Sequence, residues 1–193
     1  MSIFPLIDDG TAEGDVARVF AEFRRTKATA FVPNCFQTLA HAPAAMEGTW
    51  NVYRDVGNRG LLPTALKEMV FVAISAARHC QYGTTAHLAC CALLGVDAVT
   101  LALLDTNIDA IEPPRTREVI RFAVHCATDP GSVTPADYEG LRSQGMTDAE
   151  LVALVAMAAF SVYATIVADA LKVDIDTGFH AILQEAKDAG PHP

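Results

Sequence analysis

Three residues in the stretch LKEMVFVAISAARHCQYGTTAHLACC carry side chains suited to chemistry: a carboxylate at Glu68, a thiol at Cys80 and an imidazole at His87. A positioned carboxylate and imidazole can accept and relay protons, and a thiol near a helix N-terminus gains thiolate character from the helix dipole. Spacing alone does not assemble them. On one straight helix Glu68 and His87 would stand roughly 28 Å apart at about 1.5 Å per residue. If the chain instead reverses near Arg78 and His79, Glu68 lies ten residues before the pivot and His87 eight after it. The two then meet across an antiparallel helical hairpin, with Cys80 at the start of its second helix. Gly83 and the Thr84, Thr85 pair mark this reversal only weakly.

An ionised carboxylate in so apolar a run is costly to bury alone, so Glu68 is expected to have a partner, His87. Tyr82 either donates a hydrogen bond into the same pocket or packs as an aromatic, and His79 is expected to be solvated. Cys35, Cys80, Cys90, Cys91 and Cys126 make an odd number of cysteines without an export signal, which argues for reduced thiols. Cys90 and Cys91 read as core filler, as do His125 and Cys126. Cys91 lies about 16 Å from Cys80 along a helix, beyond the Cα separation of about 4.4 to 6.8 Å that a disulfide requires. Cys35 or Cys126 reaches Cys80 only through the tertiary fold or across a subunit interface. His87, Cys90 and Cys91 have helical spacing that two metal ligands could use, but no Cys-x2-Cys pair accompanies them and no metal is expected. Neither a P-loop nor a Gly-x-Gly-x2-Gly turn nor a nucleophile elbow is present, so no cofactor is expected.

The elements that must hold these groups read as all-α, because apolar residues recur at three and four rather than two. A first amphipathic helix is expected from about Thr11 to Lys27, with Val16, Val19, Phe20 and Phe23 on its apolar face and Arg24, Arg25 and Lys27 at its C-terminal end. Short helices follow over 34–40 and from Pro43 to about Asp55. Helical pattern resumes at Pro63 and persists to Gly95, then Asp97 caps a short helix ending near Leu104. Pro113 and Pro114 open a helix through Cys126, and 134–143 is a short polar helix. Thr147 and Glu150 stand in capping-box spacing ahead of a long apolar helix to about Lys172. A last helix covers 176–187.

At 193 residues the chain suits one domain, 1–193, with its core over about 11–187 and a frayed tail at 188–193. Hydrophobic residues make up 51% and charged ones only 19%, so much surface must be buried, and a homo-oligomer is expected. A net charge of -9, from 14 Lys and Arg against 23 Asp and Glu, argues against nucleic-acid binding. The N-terminus lacks a basic start followed by an apolar stretch, and the apolar runs read as interrupted by charged or strongly polar residues. A cytoplasmic protein without a membrane partner is expected.

The pattern Glu68-x11-Cys80-x2-Gly83-x3-His87 resembles the alkylhydroperoxidase D and carboxymuconolactone decarboxylase family, whose redox members carry Glu-x11-Cys-x2-Cys-x3-His. The flanks LPTALKEMVFVAIS, AHLACCALLGVD, VPNCFQTLAHAPAAM and ELVALVAMAAFSVYATIVADALKV are similar to its peroxidase-related branch, so the resemblance spans most of the chain. It implies an all-helical fold with the motif on a hairpin, and assemblies of several subunits. It also implies catalytic roles for Glu68, Cys80 and His87, and beside them Tyr82 and Gly83 are expected at the substrate pocket. Gly83 stands where the redox members have the cysteine that meets peroxide, so an internal Cys-x2-Cys disulfide is excluded by composition. Three activities remain open: single-cysteine reduction of a hydroperoxide with an external thiol as reductant, cofactor-free acid and base chemistry by Glu68 and His87 on a small lactone or acid, and non-catalytic small-molecule binding by an oligomer.

Overall fold

The computed structural model describes residues 3–27, 29 and 31–188. The described residues form ten α-helices and no strand: α1 (Gly14–Lys27), α2 (Asn34–Leu39), α3 (Pro43–Val52), α4 (Thr64–Ala77), α5 (Gln81–Leu93), α6 (Ala98–Leu104), α7 (Pro114–Thr128), α8 (Pro135–Ser143), α9 (Asp148–Ala170) and α10 (Thr177–Asp188). The starts follow local chemistry. Proline occupies the first turn of α3, α7 and α8, where its missing N–H is harmless. Asp97 Oδ1 accepts from the Thr100 N–H at 2.9 Å. Thr147 and Glu150 close a capping box, with Glu150 Oε2 accepting the Thr147 N–H at 2.8 Å. The expected tail beyond Asp188 lies outside the described residues.

α4 and α5 form the predicted hairpin. Between them His79 adopts φ 59°, a left-handed conformation, and the Cys80 N–H donates to the Ser75 carbonyl at 2.9 Å. These features reverse the chain within three residues. His79 is exposed, as its polarity suggests. α4 then runs through the centre, with Val70, Phe71, Val72, Ala73, Ile74 and Ser75 all buried, and packs against α5, α7 and α9. Its mixture of β-branched and aromatic residues at consecutive positions fits a helix covered on every side. α10 lies across α5, and its Phe179 joins Cys80, Tyr82, Ala86, Ala89, Ala168 and Val173 in a second, smaller apolar cluster.

Two expectations need correction. α3 does not continue as an α-helix to Asp55 but widens into a π-helical turn over Tyr53–Asn58. In that turn Gly57 lies against the Tyr53 ring, where a Cβ would come within 2.7 Å of a ring carbon. The stretch 151–168 also contains no charged residue, so α9 is long and apolar enough to cross a membrane. Here it is a core helix on one side: Leu151, Leu154, Met157, Ala158, Phe160, Ser161, Thr165 and Ala168 are buried among α4, α5 and α7.

Candidate active site

Across the hairpin, His87 Nδ1 lies 2.5 Å from Glu68 Oε2. Both groups are withdrawn from solvent, the Glu68 side chain at 3% exposure and His87 at 13%. The Phe71 ring, one helical turn beyond Glu68, stacks on the imidazole at 3.5 Å between centroids and 15° between planes. It fixes the ring plane so that Nδ1 meets the carboxylate. Burial alone would push the Glu68 carboxyl up, but the imidazole beside it and the Lys27 ammonium reverse that, leaving it below the usual range. Glu68 is thus a carboxylate at neutral pH, and Nδ1 is the donor to it, with Nε2 left for another partner.

Lys27 ends α1 and reaches inward. Its Nζ donates to Asn58 Oδ1 at 3.0 Å and Glu68 Oε1 at 3.5 Å, and sits 4.9 Å from the Tyr53 ring centroid. Both Asn58 and Tyr53 come from the π-helical turn, so that irregularity supplies half of the lysine's surroundings. Sequence reasoning gave Lys27 only a role at the helix C-terminus; nothing in local spacing ties it to a carboxylate 41 residues away.

His87 borders a largely apolar cavity of about 140 Å³ whose walls are rich in aromatic rings, among them Phe23, Phe31, Phe36, Tyr53, Phe71, Phe160, Tyr163 and Phe179. Tyr82, Gly83, Lys27, Cys35 and Cys90 also line it. The buried Tyr82 hydroxyl donates to Asp176 Oδ2 at 3.0 Å and accepts from the Cys35 N–H at 3.2 Å. Asp176 Oδ1 accepts from the Asn34 N–H at 2.9 Å, so one carboxylate ties α2, α5 and the start of α10 around the cavity. Burial raises the Asp176 carboxyl above its ordinary value, while these donors hold it back.

Cys80 is placed apart from that cavity. It is fully buried, at 0% exposure, and is not among the lining residues. As the N-cap of α5 its Sγ accepts from the Gly83 N–H at 3.4 Å, a contact that favours thiolate. Burial, reinforced by the Asp169 carboxylate, outweighs it and pushes the thiol up to about 11. Gly83 is tightly enclosed: a Cβ there would stand 2.5 Å from Ser75 Oγ and 3.1 Å from Ser75 Cβ. Ser75 is itself fully buried, and its hydroxyl has no hydrogen-bond partner among the described residues. The serine occupies the room that a side chain at position 83 would need.

The thiols that reach the cavity are Cys35 and Cys90. Burial pushes both up to about 12, for Cys35 with the nearby Asp176 charge and for Cys90 with that of Glu68. Cys90 was expected to be core filler, yet it lies one turn beyond His87 on the same face of α5. The i, i+3 spacing of His87 and Cys90 was the available signal.

The fold is that of the AhpD-like helical proteins, with the motif on an antiparallel hairpin. No protein-family model and no curated protein matches the chain. Among solved structures it is similar to a peroxidase-related protein with an alkylhydroperoxidase AhpD core from Ralstonia eutropha JMP134, at 28% identity over 92% of this chain and 94% of that one, TM-score 0.85. A second peroxidase-related protein, from Silicibacter sp. TM1040, matches at 22% identity over 93% of this chain and 94% of that one, TM-score 0.81. A cysteine-to-alanine variant of the debrominase Bmp8, in complex with 2,3,4-tribromopyrrole, matches in fold at 16% identity over 96% of this chain and all 100% of that one, TM-score 0.79.

Proposed function

We propose that this chain is a peroxidase-related member of the AhpD-like proteins that uses Glu68 and His87 for proton transfer to and from a small, largely apolar molecule held in the aromatic cavity. One observation carries the reading: a carboxylate and imidazole 2.5 Å apart, buried, with the imidazole at the wall of a cavity that Cys80 does not reach. Glu68 accepts from Nδ1–H and orients the ring, which leaves Nε2 to take or return a proton at the substrate. No metal or organic cofactor is required for such a step. Cavity volume and lining suit a lactone or small acid with an apolar body, and Lys27 offers an ammonium to a developing negative charge.

A panel of small lactones and 3-oxo acids, followed by NMR for loss of starting material, tests this. Turnover lost in Glu68→Gln and His87→Gln and kept in Cys80→Ser is the expected result; turnover that survives both dyad changes overturns the reading.

A second reading keeps thiol chemistry at Cys80. It is favoured by the Gly83 N–H pointing at the sulfur and by the peroxidase-related protein at 28% identity. Here Cys80 would attack a hydroperoxide, yielding a sulfenic acid and an alcohol, and an external thiol would reduce it. Peroxide treatment followed by intact mass with a sulfenic-acid trap decides it: an adduct on Cys80 at a rate matching peroxide consumption supports this reading, and its absence removes it.

The working unit in this proposal is a cytoplasmic homo-oligomer, with no nucleic-acid or membrane partner. Support comes from α9, where Val152, Ala156, Ala159, Tyr163, Ile166 and Ala170 form an exposed stripe at alternating four- and three-residue spacing. Sedimentation of the full chain with and without Ile166→Glu tests whether that stripe is covered by another copy.

A further inference from the structure

Beside the dyad, Cys90 completes a set that proton transfer does not need. One ligating atom from each of Glu68, His87 and Cys90 lies within 4.8 Å of the other two. We infer that these three residues form an open, three-ligand site for a thiophilic divalent cation of the Zn2+ type, with its fourth position directed into the aromatic cavity. Sequence spacing showed only the His87 and Cys90 half of the site, because the carboxylate belongs to α4 and the other two ligands to α5.

The donor set fits. A carboxylate oxygen, an imidazole nitrogen and a thiolate sulfur bind Zn2+ at about 2.0–2.3 Å, which places tetrahedral ligands roughly 3.5 Å from one another. The Glu68–His87 pair, at 2.5 Å, therefore has to open by about an ångström while the Cys90 sulfur, within 4.8 Å of both, closes on it, both movements within the reach of side-chain torsions. Two protein charges, from Glu68 and the Cys90 thiolate, would balance the ion in a site that could not hold it bare. The Lys27 ammonium does not forbid this, because it contacts Oε1 at 3.5 Å, whereas Oε2 is the oxygen turned toward His87. Phe71 stacked on the imidazole holds the ring edge-on to the cluster. His87 and Cys90 both border the cavity, so the open coordination position faces it. On binding, Cys90 loses its thiol proton to solvent, the ligating ring nitrogen carries no hydrogen, and the imidazole keeps its single hydrogen on the other nitrogen.

The metal and the direct Glu68–His87 hydrogen bond exclude each other. Zn2+ thus switches off proton transfer by the dyad, if that is the activity, but the site itself rests on the three-residue geometry and not on the reaction proposed above. The test is anaerobic titration of the full chain with Co2+, read by absorption. One equivalent per chain is expected to produce ligand-field bands of a four-coordinate ion with a thiolate-to-cobalt charge-transfer band, displaced by Zn2+. Cys90→Ser loses the charge-transfer band, Glu68→Gln weakens binding, and Cys35→Ser and Cys80→Ser leave the spectrum unchanged. Absence of the band from the folded wild-type chain, or a band that survives Cys90→Ser, overturns the site. Circular dichroism on each variant separates loss of metal from loss of fold. Turnover is a separate reading: if the dyad variants are active but Co2+ binds, only the proton-transfer proposal fails.

Discussion

The two ends of the α4–α5 hairpin received opposite treatment. At the turn end, Cys80 sits at a helix start, the place where a thiol is most easily activated, but it is sealed among Ser75, Thr165 and the second apolar cluster. Toward the other end, Glu68 is buried and His87 is half-buried at 13% exposure, and the imidazole edge reaches a cavity. Burial therefore acts in opposite senses. A lone thiol withdrawn from water becomes a weaker acid, whereas a carboxylate withdrawn together with an imidazole and an ammonium stays ionised. Of the two ends, the dyad has an ionic partner and an opening onto the cavity, and Cys80 has neither.

The sharpest way to break that contrast is kinetic. Replacing His87 or Glu68 with glutamine should reduce turnover by about 10²- to 10⁴-fold, the usual range for a general acid or base, while Cys80→Ser stays within a few-fold of wild type. Next in size is stability. His87→Ala strands the Glu68 carboxylate in the interior with only the 3.5 Å Lys27 contact, and should cost about 3 kcal/mol in urea unfolding at neutral pH. His87→Gln, which can still donate to Oε2, should recover part of that loss.

The turn end can be probed by introducing a cysteine. Gly83→Cys forces a Cβ against Ser75 Oγ and should destabilise the chain by about 1–3 kcal/mol, the range for overpacking. Ser75→Ala on its own should be nearly neutral, because it removes a buried hydroxyl without a partner among the described residues, and in combination it should relieve most of the Gly83→Cys loss. Equal losses with and without Ser75→Ala would mean that the serine does not fill that space.

Much of this was legible from the sequence and some was not, for reasons that can be named. Helix starts carried local signals: Asp97, the Thr147 and Glu150 box, and the prolines of α3, α7 and α8. The hairpin depended on His79 adopting a left-handed conformation, for which its residue type gives little notice. Glu68 and His87 could be paired once the reversal was assumed, since their distances from the pivot match. Lys27, Asp176 and Cys35 could not be placed, because each comes from an element remote in sequence. Cys90 carried a faint signal in its spacing from His87, but an apolar neighbourhood makes a free cysteine look like filler.

The smallest expected effect concerns acid. The Glu68 carboxyl is lowered in the folded chain from an ordinary value of 4.5, so the folded state binds its proton less readily than the unfolded state. The stabilisation that results is fully present above about pH 4.5 and is lost as pH falls through the lowered folded value. Urea midpoints measured from pH 7 down to pH 3 should therefore fall more steeply in wild type than in Glu68→Gln, which has no proton to gain. Cys80 gives the opposite control at the alkaline end: burial raises its thiol from 9.0 to about 11, so its alkylation should require a higher pH in the folded protein than after unfolding. A shallower acid limb in wild type than in Glu68→Gln would mean that the imidazole and ammonium do not offset burial, and the two ends of the hairpin would then differ in access alone.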